Sequence, residues 1–312
     1  MKNNLKLILL SLIIFLGCEK EVELDIDENE SKLVLNAWLK TGKYPQVEIN
    51  RSTFIFDKRG TSKINNAEVI LFENNEEVGF LEHYEGGFYR NENIEIKPNA
   101  EYKIIAKVDG FEDVSAIEKS SKDFTENDYS FEYKSEEVID QFGSGNRSEI
   151  KFTFKDNASS EDYYLFQLKH SSKRWEIDNP EDTSYNEAYT YLESSDLQIE
   201  QIYLAGMGGL KVLKDELFNG NEYTIRFKTN NLSNDFYSDE EYSGTSEYFF
   251  EVHKISKSFY LYLKSLEYNQ YPDPFTEPTQ IYTNVENGYG ILATSALIEI
   301  PIEVEGDEDL NE

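Results

Sequence analysis

Apolar and polar residues alternate in many short segments of this chain, and a period of two is typical of β-strands that bury one face. In residues 46–52, for example, Val47 and Ile49 alternate with polar residues, and Asp109-Gly110 has the composition of a hairpin turn. In the first third of the chain the pattern predicts strands at 32–39, 46–52, 67–73, 78–84, 88–89, 101–108 and 111–117. Short strands at this regular spacing predict an immunoglobulin-like β-sandwich over residues 31–118.

A second region, residues 125–304, continues the alternating pattern and is predicted to be a larger β-rich domain. Its predicted strands are 150–154, 163–169, 197–204, 221–228, 248–254 and 296–304. Pro301 makes the last of these an expected edge strand, because proline has no N–H to donate to a neighbouring strand. The polar stretches 176–189, which contains Asn179-Pro180, and 230–244 are predicted to be long surface loops.

One segment has the periodicity of a helix instead. Ser256 is a suitable N-cap, and the apolar residues that follow fall three and four positions apart on one helical face. They are Phe259, Tyr262, Leu263 and Leu266. Two prolines in residues 271–274 are expected to end the helix. The predicted fold class is therefore mostly β, with one conspicuous helix in the second region.

The N-terminus has the pattern of a lipoprotein signal peptide. Lys2 and Lys6 precede the apolar stretch 7–16, and Gly17 is followed by Cys18, the only cysteine of the chain. We predict that residues 1–17 are removed and that Cys18 carries acyl chains such as palmitate, which would hold the protein to a membrane. The alternative is an ordinary signal peptide with an unrelated cysteine. Acylation of Cys18 would leave no thiol for a disulfide or a cysteine-bound metal.

Charge narrows the classes of partner. The chain has 61 acidic residues against 30 Lys and Arg, a formal net charge of −31. Such a protein repels nucleic acid and anionic lipid headgroups, so neither is an expected partner. Acidic residues are dense in 18–30, a predicted tether, and in 305–312, a predicted tail. The 22 Tyr and 20 Phe favour strands and supply side chains suited to contact surfaces.

Two blocks resemble a known family. The first spans residues 32–56, with related stretches at 67–75, 86–90 and 101–110. The second is a closing signature, Asp-Pro-Phe-x-Glu-Pro followed by Asn-x-x-Asn-Gly-x-Gly. Its residues here are Asp273, Pro274, Phe275, Glu277, Pro278, Asn284, Asn287, Gly288 and Gly290. Together they are similar to a family of exported Bacteroidota lipoproteins described as a domain of unknown function. The opening block by itself would also fit any carboxypeptidase-regulatory-like sandwich.

The resemblance implies a location and a partner but no chemistry. Members of that family are typically encoded beside TonB-dependent receptors of the outer membrane, and the acidic stretch after Cys18 resembles signals that send such lipoproteins to the cell exterior. The resemblance therefore implies an accessory subunit of a receptor or uptake complex. It supplies no catalytic residue.

The sequence itself predicts no catalytic site, cofactor or metal centre. His83, His170 and His253 belong to no recognised catalytic motif, and the glycine-rich residues 205–211 are predicted to form a turn. Two loops concentrate acidic residues without the spacing of a calcium-binding loop, and Ca²⁺ binding by them stays open. Their acidic residues are Asp178, Glu181, Asp182, Asp235, Asp239, Glu240 and Glu241. Paired carboxylates suited to glycoside hydrolysis also stay open.

Aromatic residues are the candidates for contact with a ligand or partner. Tyr237, Tyr242 and Tyr248 belong to a tyrosine-rich stretch that suits sugar or protein contact, and Tyr271 and Phe275 lie on a proline-stiffened segment that serves either contact or packing. These observations favour a non-enzymatic lipoprotein of the outer membrane, facing the exterior and assisting a TonB-dependent receptor. The alternatives are a surface adhesin or matrix-contact protein and, third, a surface hydrolase with a deep cleft of converging acids.

Overall fold

The computed structural model describes residues 30–53, 62–122, 128–140, 143–158, 160–204, 208–230, 232, 241–270 and 279–304. Cys18, Tyr237, Tyr271 and Phe275 lie outside these ranges. Within them the chain forms seventeen strands and one α-helix. The strands are β1 (Leu33–Lys40), β2 (Gln46–Arg51), β3 (Glu68–Glu73), β4 (Glu76–Glu85), β5 (Phe88–Arg90), β6 (Glu101–Lys107), β7 (Val114–Lys119), β8 (Tyr129–Asp140), β9 (Gly143–Lys155), β10 (Tyr163–Glu176), β11 (Thr183–Thr190), β12 (Ile199–Leu204), β13 (Gly208–Lys214), β14 (Glu222–Asn230), β15 (Tyr242–Ile255), β16 (Val285–Glu286) and β17 (Tyr289–Ile302).

The predicted fold class, mostly β with one helix, is confirmed. The helix, α1 (Lys257–Gln270), begins directly after Ser256, whose hydroxyl accepts a hydrogen bond from the backbone N–H of Phe259 at 3.4 Å. That bond satisfies one of the N–H groups that a helix leaves unpaired at its start. Phe259 and Leu263 are buried, so the predicted apolar face is the face that packs.

Two sheets organise the strands. Fourteen strands form one hydrogen-bonded sheet, and β8, β9 and β14 form a separate one. In the large sheet β17 lies between β15, with which it pairs antiparallel, and β1, with which it pairs parallel. The last strand of the chain thus joins strands of the predicted N-terminal and C-terminal regions, and β16 likewise pairs with β7.

Three apolar cores hold these layers together. The first lies among β1 to β7 and is sandwich-like, with Leu35, Ile49, Ile104 and Val114 all fully buried. The second packs Phe152 and other aromatic residues of the three-stranded sheet against β10 and β15. The third lies between the large sheet and α1. Burial of aromatic and branched side chains is the main stabilising contribution in a chain without disulfides.

The prediction of a surface loop at 176–189 is wrong. β10 continues to Glu176, and β11 returns beside it as its antiparallel partner. Both faces of this hairpin are largely open to solvent, so the strands lack the apolar face on which the sequence pattern depends. The prediction of a loop at 230–244 is wrong at its end, because Tyr242 already belongs to β15; residues 233–240 lie outside the described ranges.

Three further strands were not predicted: β8, β13 and the two-residue β16. β8 was missed although Tyr129, Phe131 and Tyr133 alternate with polar residues in the sequence. β13 includes glycines that were predicted to form a turn. Gly209 lies against the side chain of Gln201 on β12, which would have to shift to make room for a Cβ atom.

Pro301 lies in a strand that changes its paired neighbour along its length. β17 pairs with β1 from Tyr289 to Ser295 and with β15 from Ser295 to Ile302. Within the described residues, the stretch around Pro301 therefore pairs on one side only, which agrees with the predicted edge position.

The closing signature fixes the path of β17. Asn284 makes two hydrogen bonds with the backbone of Leu292, donating to its carbonyl at 2.8 Å and accepting from its N–H at 2.9 Å. Asn287 has a positive φ of 62°. A Cβ atom on Gly288 would lie 2.6 Å from the carbonyl oxygen of Leu33. These residues shape the backbone so that β17 enters the sheet directly beside β1.

Candidate functional site

An acid, an imidazole and a hydroxyl form a row in the middle of the large sheet. Glu251 Oε2 lies 3.1 Å from His253 Nε2, and His253 Nδ1 lies 3.4 Å from Ser295 Oγ. The indole N–H of Trp38 donates to the same Ser295 Oγ at 2.9 Å. The row spans β15, β17 and β1, and its order resembles that of a catalytic triad.

The burial of these side chains determines whether the row can act on a substrate. His253 and Ser295 have no exposed surface, and Glu251 is 2% exposed. The ring of Trp38 covers the site, with its centroid 4.8 Å from those of both His253 and Phe259. A substrate has no path to the serine hydroxyl in this structure. The row is a polar network inside the protein, one that hydrogen-bonds three strands to one another.

Two lysines balance the carboxylates around this network. Lys169 Nζ lies 3.2 Å from Glu251 Oε1 and 2.7 Å from Glu299 Oε2. Lys40 Nζ lies 4.2 Å from the centre of the Trp38 ring, a cation–π contact. We refer to Lys40, Lys169, Glu251, His253 and Glu299 as the buried ion cluster.

The pKa shifts in this cluster follow from burial and from its charges. Burial lowers the pKa of His253, which holds the imidazole neutral near pH 7. Burial alone would raise the pKa of Glu251, but its hydrogen bond with His253 and the positive charges nearby outweigh burial and lower that pKa. Burial also lowers the pKa of Lys40. Glu251 is thus the ionised centre of the cluster.

Three other carboxylates meet at the ends of β9, β10 and β13. Asp156, Asp162 and Asp215 are each at least 94% buried, and one oxygen of each lies within 4.8 Å of the others. Lys254 Nζ lies 2.5 Å from Asp162 Oδ2, and Tyr164 donates its hydroxyl to Asp156. These are not the acidic residues that the sequence suggested.

Internal partners account for this carboxylate group. Gly220 N–H donates to Asp156 Oδ2 at 2.8 Å, and Asp162 N–H donates to Asp215 Oδ2 at 2.9 Å. Burial, together with the neighbouring carboxylates, raises the pKa values of both Asp162 and Asp215. The ammonium group of Lys254 supplies the cation that such a cluster needs. Nothing outside the cluster points to a bound ion.

The surface presents a different kind of site, which we name the aromatic ribbon. It consists of residues 171–176 of β10, all of β11, and residues 242–247 of β15. β17 ends opposite Tyr248, and β13 pairs only with the first part of β10, so within the described chain these three segments extend past their neighbours. Tyr185 is 73% exposed and Tyr189 is 49% exposed.

Cations lie against the aromatic rings of the ribbon. Arg174 lies 3.9 Å from the centre of the Tyr242 ring, and Lys173 Nζ lies 5.5 Å from Trp175 and 5.8 Å from Tyr185. These cation–π contacts are favourable and orient the rings relative to the neighbouring cations. A partly exposed aromatic surface is suited to contact with another molecule.

The predicted contact residues that are described have different roles. Tyr242 lies on the ribbon, half-buried, and its hydroxyl donates to Glu176 at 3.3 Å. Tyr248 stacks on His170 with ring centres 4.7 Å apart and packs against the second core, so it is a structural residue as much as a surface one. Sequence reasoning missed Tyr185 because it assigned residues 176–189 to a loop, and it missed Trp175 because the predicted strand ended at residue 169.

The other predicted site residues are placed as follows. Asp178, Glu181 and Asp182 are exposed on the turn between β10 and β11, while Asp235, Asp239 and Glu240 lie outside the described ranges and Glu241 is exposed. His83 is exposed on β4. None of the helices in the described chain has both the length and the apolar character needed to cross a membrane.

Comparison with known protein families identifies the family of this chain. A family model with the description Domain of unknown function (DUF4249) matches residues 19–297, which is most of the chain. A search of curated proteins finds no match.

Proposed function

The chain belongs to the family described as Domain of unknown function (DUF4249), and from that starting point we propose that it is a lipid-anchored, non-enzymatic binding subunit of the outer membrane that assists a TonB-dependent receptor. The body would face the cell exterior. Its attachment would be the acyl chains on Cys18, and its contact with the receptor would be made by the aromatic ribbon.

The N-terminal sequence supports the anchor. The family match begins at residue 19, directly after Cys18, so the apolar leader 1–17 lies outside the matched region. That limit agrees with a mature protein that begins at Cys18. The acidic residues 18–30 would then separate the lipid from β1, and the negative charge of the chain would keep the body away from anionic headgroups.

The observation that carries the binding role is the aromatic ribbon. Exposed Tyr and Trp side chains contribute a large contact area with few rotatable bonds to immobilise, which makes them frequent anchors in protein interfaces. Tyr185 is 73% exposed, Trp175 is half-buried on the same face of the ribbon, and the ribbon extends past the strands around it. The hydroxyl of Ser295, by contrast, has no solvent access.

Co-purification tests the proposal. We expect the full chain, tagged at its C-terminus and cross-linked in its native cells, to recover a TonB-dependent receptor from detergent-solubilised membranes. The double variant Trp175→Ser/Tyr185→Ser should recover about tenfold less receptor, because it removes the anchors of the interface. Tyr268→Ser is the matched control, since Tyr268 is 68% exposed on α1, away from the ribbon.

Two results would count against the proposal. Recovery of no receptor by the wild-type chain would exclude the partnership, and recovery of matrix or host-surface proteins instead would favour the adhesin alternative. Equal recovery by the wild-type and the ribbon variant would remove the ribbon from the interface.

A further inference from the structure

A polar cleft lies at the end of the β4–β5 hairpin, far along the sheet from the aromatic ribbon. It encloses about 340 Å³. Its lining residues are Glu82, His83, Tyr84, Arg90, Asn91, Glu92 and Asn93. We call it the Tyr84 cleft. Its volume falls within the range of roughly 300–1,000 Å³ that is typical of small-molecule sites.

Interactions within the protein fix one wall of this cleft. The guanidinium carbon of Arg90 lies 4.2 Å from the centre of the Tyr84 ring and 5.8 Å from that of Tyr44. Arg90 Nη2 also pairs with Glu92 Oε1 at 2.9 Å. The contacts with the two tyrosine rings and the ion pair with Glu92 restrict the side chain of Arg90. Binding of a ligand would therefore cost little conformational entropy at this side chain.

The side chain of Asn91 fixes the backbone at the base of the cleft. Its side-chain amide donates to the carbonyl of Phe80 at 2.8 Å, and its side-chain oxygen accepts from the N–H of Asn93 at 3.0 Å. The turn that follows β5 is therefore tied to β4. This places the side chains of Glu82 and Asn93 on one preformed surface.

Several polar groups of the cleft remain available. Within the described part of the chain, the side chains of Glu82 and Asn93 have no hydrogen-bond or ion-pair partner, whereas the ring of His83 lies edge-on to that of Tyr89 with ring centres 5.4 Å apart. Glu82 offers acceptors, and Asn93 offers both donors and acceptors. Glu92, in contrast, already pairs with Arg90.

We infer that the Tyr84 cleft binds a neutral sugar. A sugar hydroxyl both donates and accepts, which matches a wall that presents the carboxylate of Glu82 and the carboxamide of Asn93. Tyr84 is 36% exposed, and the exposed part of its ring offers an apolar surface for the C–H groups of a sugar ring. An anionic ligand is disfavoured by Glu82 and by a chain charge of −31. The inference depends neither on the lipid anchor nor on the receptor.

Histidine NMR offers a direct test, because the chain has only three histidines. His83 lines the cleft, His253 is fully buried, and His170 stacks on Tyr248. The full mature chain, labelled with ¹³C-histidine and held in detergent micelles, is titrated with maltohexaose, cellohexaose, xylohexaose and mannohexaose. The acidic probe is hexagalacturonate, and the peptide probe is trialanine.

We expect at least one neutral oligosaccharide to shift the His83 signals saturably while those of His170 and His253 stay in place. The double variant Glu82→Gln/Asn93→Ala should weaken that binding about tenfold, the effect of losing roughly 1.4 kcal/mol of hydrogen bonding. Glu77→Gln, an exposed change on the same strand outside the cleft, should leave it unaltered. The inference would be overturned if none of the four neutral probes shifted the His83 signals, or if only the acidic or peptide probe did. It would also be overturned if the double variant bound with unchanged affinity.

Discussion

Replacing Gly290 with alanine is expected to lower the free energy of unfolding by more than about 3 kcal/mol, one of the largest losses that a single methyl group can cause. Gly290 has a positive φ of 104° and faces the carbonyl oxygen of Leu35 across the parallel β1–β17 ladder. An added Cβ would overlap that oxygen and lie 2.8 Å from Asn36 Oδ1. Both β1 and β17 have tight neighbours, so neither strand can move away.

Gly110→Ala is the matched control. Gly110 also has a positive φ, 86°, but a Cβ there would meet no atom within 4 Å. Gly110→Ala therefore measures the cost of the backbone strain alone, about 1 kcal/mol, without a steric overlap. Urea unfolding of the two variants, read by tryptophan fluorescence, gives the comparison. Equal losses would show that the approach of β17 to β1 is not tight and that the closing signature does not shape this junction.

Replacing Glu251 with glutamine is expected to lower the free energy of unfolding by about 1.5–3 kcal/mol, because it removes the ionised acceptor of the buried hydrogen bond with His253 and one of the two carboxylates that pair with Lys169. The carboxylate of Glu251 lies 3.2 Å from the ammonium group of Lys169 and 3.1 Å from the imidazole of His253, and the side chain of Glu251 is 3% exposed. Glutamine has the same size, so the change tests charge and hydrogen bonding, not volume.

Glu68→Gln is the control for an exposed pair. Glu68 lies 2.8 Å from Lys107, nearer than Glu251 lies to Lys169, but both side chains are largely exposed. Solvent screens such pairs, so the unfolding free energy should hardly change. If Glu251→Gln proved as mild as Glu68→Gln, the buried ion cluster would not be a source of stability.

The pH dependence of the same variant gives an independent check. The pKa of Glu251 is lowered in the folded state, so its contribution is complete above its ordinary value of 4.5 and is lost as pH falls below that value. The stability difference between wild type and Glu251→Gln should therefore shrink as the pH is lowered from 5 toward acid. A difference that stayed constant would place the effect in packing instead of charge.

The sequence predicts strands well where one face of the strand is buried and the other is more exposed. It predicts them poorly where both faces are exposed. β1 and β2 bury every second residue, and both were predicted nearly to their ends. The hairpin of β10 and β11 leaves both faces open at its end, so composition there resembles that of a loop. The period of two was nevertheless present in β11, where Tyr185 and Tyr189 lie on one face together with Glu187.

Sites that depend on strand pairing were beyond sequence reasoning. His253 and Ser295 are 42 positions apart and meet only because β17 pairs with β15. Likewise, Asp156, Asp162 and Asp215 converge from the ends of three different strands. The Tyr84 cleft forms where a bulge in β4 interrupts its pairing with β5 near His83. No local pattern marks any of these three places.

The most direct test of the central claim, a body held to lipid at Cys18, is mass spectrometry of the N-terminal peptide of the protein isolated from its native cells. The proposal predicts a peptide that begins at Cys18 and carries the added mass of its acyl chains, with residues 1–17 absent. A peptide in which Cys18 is unmodified would contradict it, and the proposed location and receptor partnership would then lose their support.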